Sequence, residues 1–166
     1  MDTPLSKPSS EFLLTAACCR WPPSERRNDA ITEAIVPNID WDRVLRIANR
    51  HRVAGLVHDG LTRTKTRIPP QVAQALADKA HSILRANLNS AAEAIRLHQL
   101  LRDAGVRAIS FKGSSLALIA FDGLGIRHSK DIDILVAPAF VDKASKTLEA
   151  AGYRRFEPVP GLSQAG

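Results

Sequence analysis

The sequence predicts an α+β fold in which an N-terminal helical region precedes a small mixed sheet with flanking helices. The first hundred residues carry apolar side chains at three- and four-residue spacing, which is typical of amphipathic helices. Beyond that point the pattern changes to short runs rich in β-branched residues, separated by helical segments. We therefore expect a helical region over residues 1–104 and an α/β core over residues 105–166.

Proline and glycine residues delimit the helices of the first region. The apolar spacing predicts helices over residues 11–19, 28–36, 41–49, 53–61 and 71–104. Pro22 and Pro37 end the first two, because proline cannot continue a helix. Asp40 is a suitable N-cap for the third, and Gly105 is placed to end the last. The last helix is expected to bury an apolar stripe of Val72, Leu76, Ala80, Ile83, Ala91 and Ile95.

The second region is predicted to alternate strand, helix, strand, helix and strand. The strands cover residues 106–111 and 131–136, with a helix over residues 116–121 between them. The next helix begins near Pro138, since proline is favoured in the first turn, and a third strand follows Gly152. The face of that helix expected to pack on the sheet consists of Phe140, Val141, Ala144, Leu148 and Ala151.

Two aspartates one residue apart, Asp131 and Asp133, lie at the start of the predicted second strand. Alternate side chains of a strand share a face, so both carboxylates are expected to point the same way. About 6.6 Å of strand rise separates their backbones, and converging side chains could bind one divalent cation. Because two adjacent carboxylates repel each other without a cation, the pair suits a magnesium site better than a structural role.

A glycine-serine pair, Gly113-Ser114, lies between the first strand and the helix that follows it. The N-terminus of such a helix leaves free backbone N–H groups, which can bind phosphate oxygens. Glycine lets the backbone approach a ligand closely, and a serine hydroxyl adds a donor. Arg127 lies in the turn-rich stretch before the aspartates, where it could neutralise phosphate charge or pair with Asp131 or Asp133. A phosphate site beside a carboxylate pair indicates chemistry on a nucleoside triphosphate.

These residues, in this order, resemble the signature of the DNA polymerase beta-like nucleotidyltransferase superfamily. The similar segments are Lys112-Gly113-Ser114-Ser115, Arg127, residues 131–136 and Gly152-Tyr153. Within that superfamily the sequence is similar to the group called uncharacterised nucleotidyltransferases, which the stretch His51-Arg52-Val53-Ala54-Gly55-Leu56 also resembles. The resemblance extends over residues 11–156, nearly the whole chain.

The resemblance implies a magnesium-dependent transfer of a nucleotidyl group from a nucleoside triphosphate, with ATP as the expected donor. Mg²⁺, bridging the triphosphate, would be bound by Asp131 and Asp133. The nucleotide would be bound by Lys112, Gly113, Ser114 and Arg127. The acceptor would be a hydroxyl group on a protein, a small molecule or a nucleic acid.

A third carboxylate is carried on a later strand by complete members of the superfamily, where it helps to activate the attacking hydroxyl. The sequence ends at Gly166, before such a strand is expected, and Glu157 is the only acidic residue after Glu149. We therefore expect the second region to be incomplete. A non-catalytic module that binds nucleotide or another protein is the alternative function.

Composition excludes several other classes of protein. No apolar run is long enough to span a membrane, and the N-terminus lacks the apolar segment of a secretory signal. Cys18 and Cys19 are adjacent and have no partners elsewhere, which predicts reduced thiols and a cytoplasmic location. The formal net charge of +6 suits an anionic partner, but the basic residues are scattered, which favours solvated helix faces over a nucleic-acid surface.

Overall fold

The computed structural model describes residues 7–121 and 123–156, apart from the side chains of Ser114 and Ser115. Helices dominate this part of the chain, and two short strands pair in its second half. The predicted α+β class is confirmed. In the same two ranges, no helix is both long enough and apolar enough to cross a membrane.

Five helices form the N-terminal region: α1 (Ser10–Cys18), α2 (Glu25–Ala34), α3 (Trp41–Arg50), α4 (Ala54–Arg63) and α5 (Pro70–Asp103). Their ends lie within three residues of the predicted ones. The α2 helix starts earlier than predicted because the Ser24 side chain caps it, accepting a hydrogen bond from the Arg27 N–H. Asp40 caps α3 as predicted, accepting from the Arg43 N–H at 2.9 Å. Gly105 follows α5 with a φ of +70°, as expected of a glycine that ends a helix.

The main hydrophobic core is enclosed by α1 to α4 and the first part of α5. Its fully buried side chains include Leu14, Ile31, Val44, Val57 and Leu76. Because these residues come from five different helices, the N-terminal region packs around one apolar centre.

The buried stripe of α5 follows the prediction through Ile83 and then departs from it. Ile95 was predicted to be buried, but its side chain is 71% exposed. Each four-residue step advances about 40° beyond a full turn of the helix. A stripe that continues by several such steps therefore turns away from the face on which it began. The structure instead buries Asn87, Ala94, Leu97 and Leu101.

The sheet is a two-stranded antiparallel pair within the described residues. Strands β1 (Ala108–Ser110) and β2 (Ile134–Val136) pair so that Ile109 lies opposite Leu135. Helix α6 (Ser114–Phe121) lies between them in sequence. After β2, a turn of 3₁₀ helix (Pro138–Phe140) leads into α7 (Val141–Ala150), so the predicted start near Pro138 is confirmed.

Two predictions about strands were wrong. Strand β2 begins at Ile134, so Asp131 and Asp133 lie in the segment just before the strand rather than within it. A hydrogen bond of 3.1 Å from the Phe111 N–H to the Asp133 carbonyl continues the pairing by one residue. The strand predicted after Gly152 is not formed. Residues 153–156 are exposed and pair with no strand among the described residues.

One face of the sheet is covered and the other is open. The covered face carries Ile134 and Val136, against which Phe140, Ala144 and Leu148 pack. These are three of the five residues predicted to face the sheet from α7 and the turn before it. The opposite face carries the exposed side chains of Ile109, Phe111 and Leu135. Strand alternation assigns Asp133 to this open face, next to Leu135.

Candidate nucleotide-binding site

Of the residues predicted to bind nucleotide, Arg127 lies in the loop of residues 123–130, here called the arginine loop, and Gly113 lies close to Ser129 of that loop. The loop follows α6 and leads directly to Asp131. Its position relative to α4 and α5 is fixed by Asn87 and Gly55, two residues to which the sequence alone assigned no role.

Asn87 in the middle of α5 holds the arginine loop through its fully buried side-chain amide. Its Nδ2 donates to the carbonyl oxygens of Leu124 at 2.6 Å and Arg127 at 2.7 Å. Its Oδ1 accepts from the Ser129 N–H at 3.2 Å. One side chain therefore satisfies three backbone groups and determines where the chain enters the aspartate segment.

Gly55 in the first turn of α4 lets the arginine loop approach the helix closely. A Cβ atom at this position would overlap the backbone carbonyl oxygens of Gly125 and Ile126. The loop backbone cannot relieve this overlap by a local rotation, as a flexible side chain could. Any larger residue at position 55 would therefore displace the whole loop.

Gly113 lies against the backbone of the aspartate segment. It is buried and has a φ of +76°, a conformation that favours glycine. A Cβ at this position would lie 3.1 Å from the Asp131 carbonyl oxygen. The Ser129 hydroxyl donates to that same carbonyl at 3.3 Å. The Gly113 carbonyl also accepts from the Ala117 N–H at 3.2 Å, so the first turn of α6 begins at this bend.

The two aspartates have no cationic partner in the described part of the chain. Asp131 is exposed and Asp133 is half-buried, and no Lys, Arg or His nitrogen lies within 4.0 Å of either carboxylate there. Carboxylate oxygens are the ligands that Mg²⁺ prefers, so each of these two side chains has the chemistry to bind that ion. No three metal-ligating side chains gather among residues 7–121 and 123–156, and Glu157 lies outside them.

The positively charged candidates differ in their surroundings. Arg127 is half-buried, and its Nη1 is buried without a hydrogen-bond partner among the described residues. Arg127 forms no ion pair with Asp131 or Asp133. The alternative prediction, that Arg127 pairs with one of these aspartates, is therefore not observed. The Lys112 Nζ lies 5.3 Å from the centre of the Phe111 ring on the open face of the sheet. The side chain of Ser114 lies outside the described residues.

The sequence profile of a protein family described as "Uncharacterised nucleotidyltransferase" matches residues 37–162, about three quarters of the chain. The chain belongs to this family. The suspected resemblance is confirmed at that level. No curated protein and no solved structure matches the chain significantly.

The region that matches the nucleotidyltransferase family contains both Gly55 and Asn87. A signal for Asn87 was available in the sequence, since an amide in the apolar stripe of a helix must find hydrogen-bond partners when it is buried. Its partners lie 37 to 42 residues further along the chain, and spacing within α5 does not identify them.

Asn87→Ala is expected to lower the free energy of unfolding by about 1–3 kcal/mol for each buried backbone group that it leaves unpaired. Asn89→Ala is the matched control, because Asn89 is exposed on the same helix. Both substitutions replace asparagine with alanine and therefore raise the helix propensity by the same amount. Urea unfolding of both variants measures the difference. Equal stabilities of the two variants would contradict the assignment of Asn87 as the residue that holds the loop.

Proposed function

We propose that this nucleotidyltransferase-family protein transfers a nucleotidyl group from a nucleoside triphosphate to a hydroxyl acceptor, using Mg²⁺. One observation carries the proposal: the Gly113 bend at the start of α6 lies against the backbone of Asp131, and neither Asp131 nor Asp133 has a cationic partner in the described part of the chain. We further propose ATP as the donor and the cytoplasm as the location, the latter supported by two free cysteines, one of them buried.

The proposed roles follow from the position of each group. Asp131 and Asp133 would hold Mg²⁺, which when bound neutralises negative charge on the phosphates. Gly113 has no side chain to obstruct a ligand, and the N–H groups of the first turn of α6 can donate to phosphate oxygens. Arg127 and Lys112 would add positive charge, since guanidinium and ammonium groups both bind phosphate. Ser114 would contribute a further donor.

The reaction joins the acceptor oxygen to the α-phosphorus of the nucleotide, and the proton of the acceptor hydroxyl passes to solvent. The bond between that phosphorus and the oxygen bridging to the β-phosphate breaks, and pyrophosphate leaves. The backbone donors at Gly113 and the charge of Arg127 would therefore act on the departing phosphates as well as on the bound triphosphate.

The position of the transferred label tests this proposal. The protein is incubated with Mg²⁺, a cell extract as the acceptor source, and ATP labelled at either the α- or the γ-phosphate. We expect the α-label to appear on an acceptor and the γ-label to be released as pyrophosphate, with both processes stopped by a chelator. Transfer of the γ-label would indicate a kinase instead. Binding of ATP without transfer of either label would favour the non-catalytic module.

A further inference from the structure

A small pocket of about 200 Å³ lies between the end of α3, the start of α4, the first half of α5 and the end of the arginine loop. Four basic side chains border it: Arg52, Lys79, His128 and Lys130. Its remaining wall is mostly apolar and includes the buried side chain of Ile83. We call this space the basic pocket.

The charges of the basic pocket are not balanced by acidic groups. No carboxylate lines it, and none of its four basic side chains forms an ion pair within 4.0 Å in the described part of the chain. Burial lowers the pKa of His128, and the nearby charges of Lys130, Lys79 and Arg52 lower it further. Like charges held together in this way repel one another unless an anion occupies the space between them.

Arg52 has a backbone conformation that arginine rarely adopts. Its φ is +59°, and it follows the C-cap residue of α3, at the position where glycine is the favoured residue. The Arg52 N–H donates to the Asn49 carbonyl at 3.1 Å, and the Val53 N–H donates to the Ala48 carbonyl at 2.9 Å. Because glycine is favoured there, replacing Arg52 with glycine removes the side chain without a backbone penalty.

We propose that the basic pocket binds a phosphate group, at a position separate from the Gly113 bend. Its volume of about 200 Å³ is enough for inorganic phosphate or pyrophosphate. Arg52, in the turn between α3 and α4, and Lys79, on α5, both border the pocket and would supply charge-assisted hydrogen bonds. Lys130 also borders the groove that contains Asp131, so the bound anion would contact the segment that carries the aspartates.

Binding of phosphate and of pyrophosphate is measured by calorimetry in the presence of a chelator, so that the result does not depend on the proposed transfer or on Mg²⁺. At least one of the two anions should bind. Arg52→Gly and Lys79→Gln should each weaken that binding about tenfold or more, the effect of losing one charge-assisted hydrogen bond. Binding of phosphate would indicate a site for the free ion, whereas preference for pyrophosphate would indicate a site for the leaving group.

The matched control is Lys65→Gly. Lys65 also follows a helix end with a positive φ, of +51°, and removing its side chain deletes one positive charge outside the pocket. Neither glycine variant should lower the melting temperature, since glycine is favoured at both positions. Unchanged binding in Arg52→Gly and Lys79→Gln, an equal loss in Lys65→Gly, or failure of both anions to bind would overturn the proposal.

The His128 ring gives a second test, read by NMR. The charged groups facing this ring are Arg52, Lys79 and Lys130, and all of them disfavour its protonation. A phosphate bound among them should raise the pKa of His128, because an adjacent negative charge favours the protonated form. Anion binding that leaves the His128 titration unchanged would mean that the anion binds elsewhere, which would also overturn the proposal.

Discussion

Asp131→Asn and Asp133→Asn are each expected to reduce nucleotidyl transfer by about a thousandfold, which corresponds to about 4 kcal/mol of transition-state stabilisation. A bound metal ion supplies several kcal/mol of this kind, and the amide of asparagine is a much weaker ligand than a carboxylate. Both variants should fold normally. Neither carboxylate accepts a hydrogen bond or forms an ion pair in the described part of the chain, and Asp131 is exposed.

Glu93→Gln is the control for these two variants. Glu93 is a carboxylate in the groove that also contains Asp131, but it forms an ion pair at 2.8 Å with Arg96 and has no proposed role in the reaction. Transfer of the α-label, measured for all three variants with melting curves alongside, should be lost only for the two aspartates. Transfer that survives both aspartate substitutions would refute the metal assignment, and an equal loss in Glu93→Gln would show that the effect is not specific.

The helices of this protein could be predicted because their signals are local. The Asp40 cap, the Gly105 terminus and the apolar spacing of α3 act within a few residues of the backbone groups that they affect. The strands depend instead on a partner elsewhere in the chain. The segment after Gly152 has the composition of a strand, but no strand lies beside it among the described residues, so it does not become one.

The residues of the candidate site also fall into two groups, those that the local sequence pattern identifies and those whose role depends on how the helices pack. Gly113, Arg127, Asp131 and Asp133 could be found because they lie within 21 residues of one another and form a pattern of glycine, cation and carboxylates. Asn87 and Gly55 could not be assigned a role, since each meets the arginine loop only after the helices have packed.

The basic residues illustrate the limit of composition. Along the sequence they are dispersed, and we interpreted them as solvated side chains. The fold nevertheless brings Arg52, Lys79, His128 and Lys130 from distant positions to one pocket. Folding alone determines which of the scattered charges become neighbours.

Asp59→Ala is expected to lower the free energy of unfolding by about 3–5 kcal/mol, because it leaves the Arg27 guanidinium buried without a counter-charge. Arg27 is fully buried between α1, α2 and α4, and its Nη1 contacts the Asp59 Oδ2 at 2.7 Å. Its Nη2 donates to the carbonyl oxygens of Cys18 at 2.8 Å and Leu56 at 3.2 Å. Urea unfolding followed by circular dichroism measures the loss.

Arg63→Ala is the matched control, since Arg63 contacts the other oxygen of the same carboxylate at 2.7 Å but its side chain is 54% exposed. An exposed ion pair contributes about 1 kcal/mol or less, so this variant should be nearly as stable as the wild type. The double variant Arg27→Met/Asp59→Leu should recover most of the stability lost in Asp59→Ala, because it removes both buried charges together. A loss in Arg63→Ala as large as that in Asp59→Ala would mean that burial of Arg27 is not the cause.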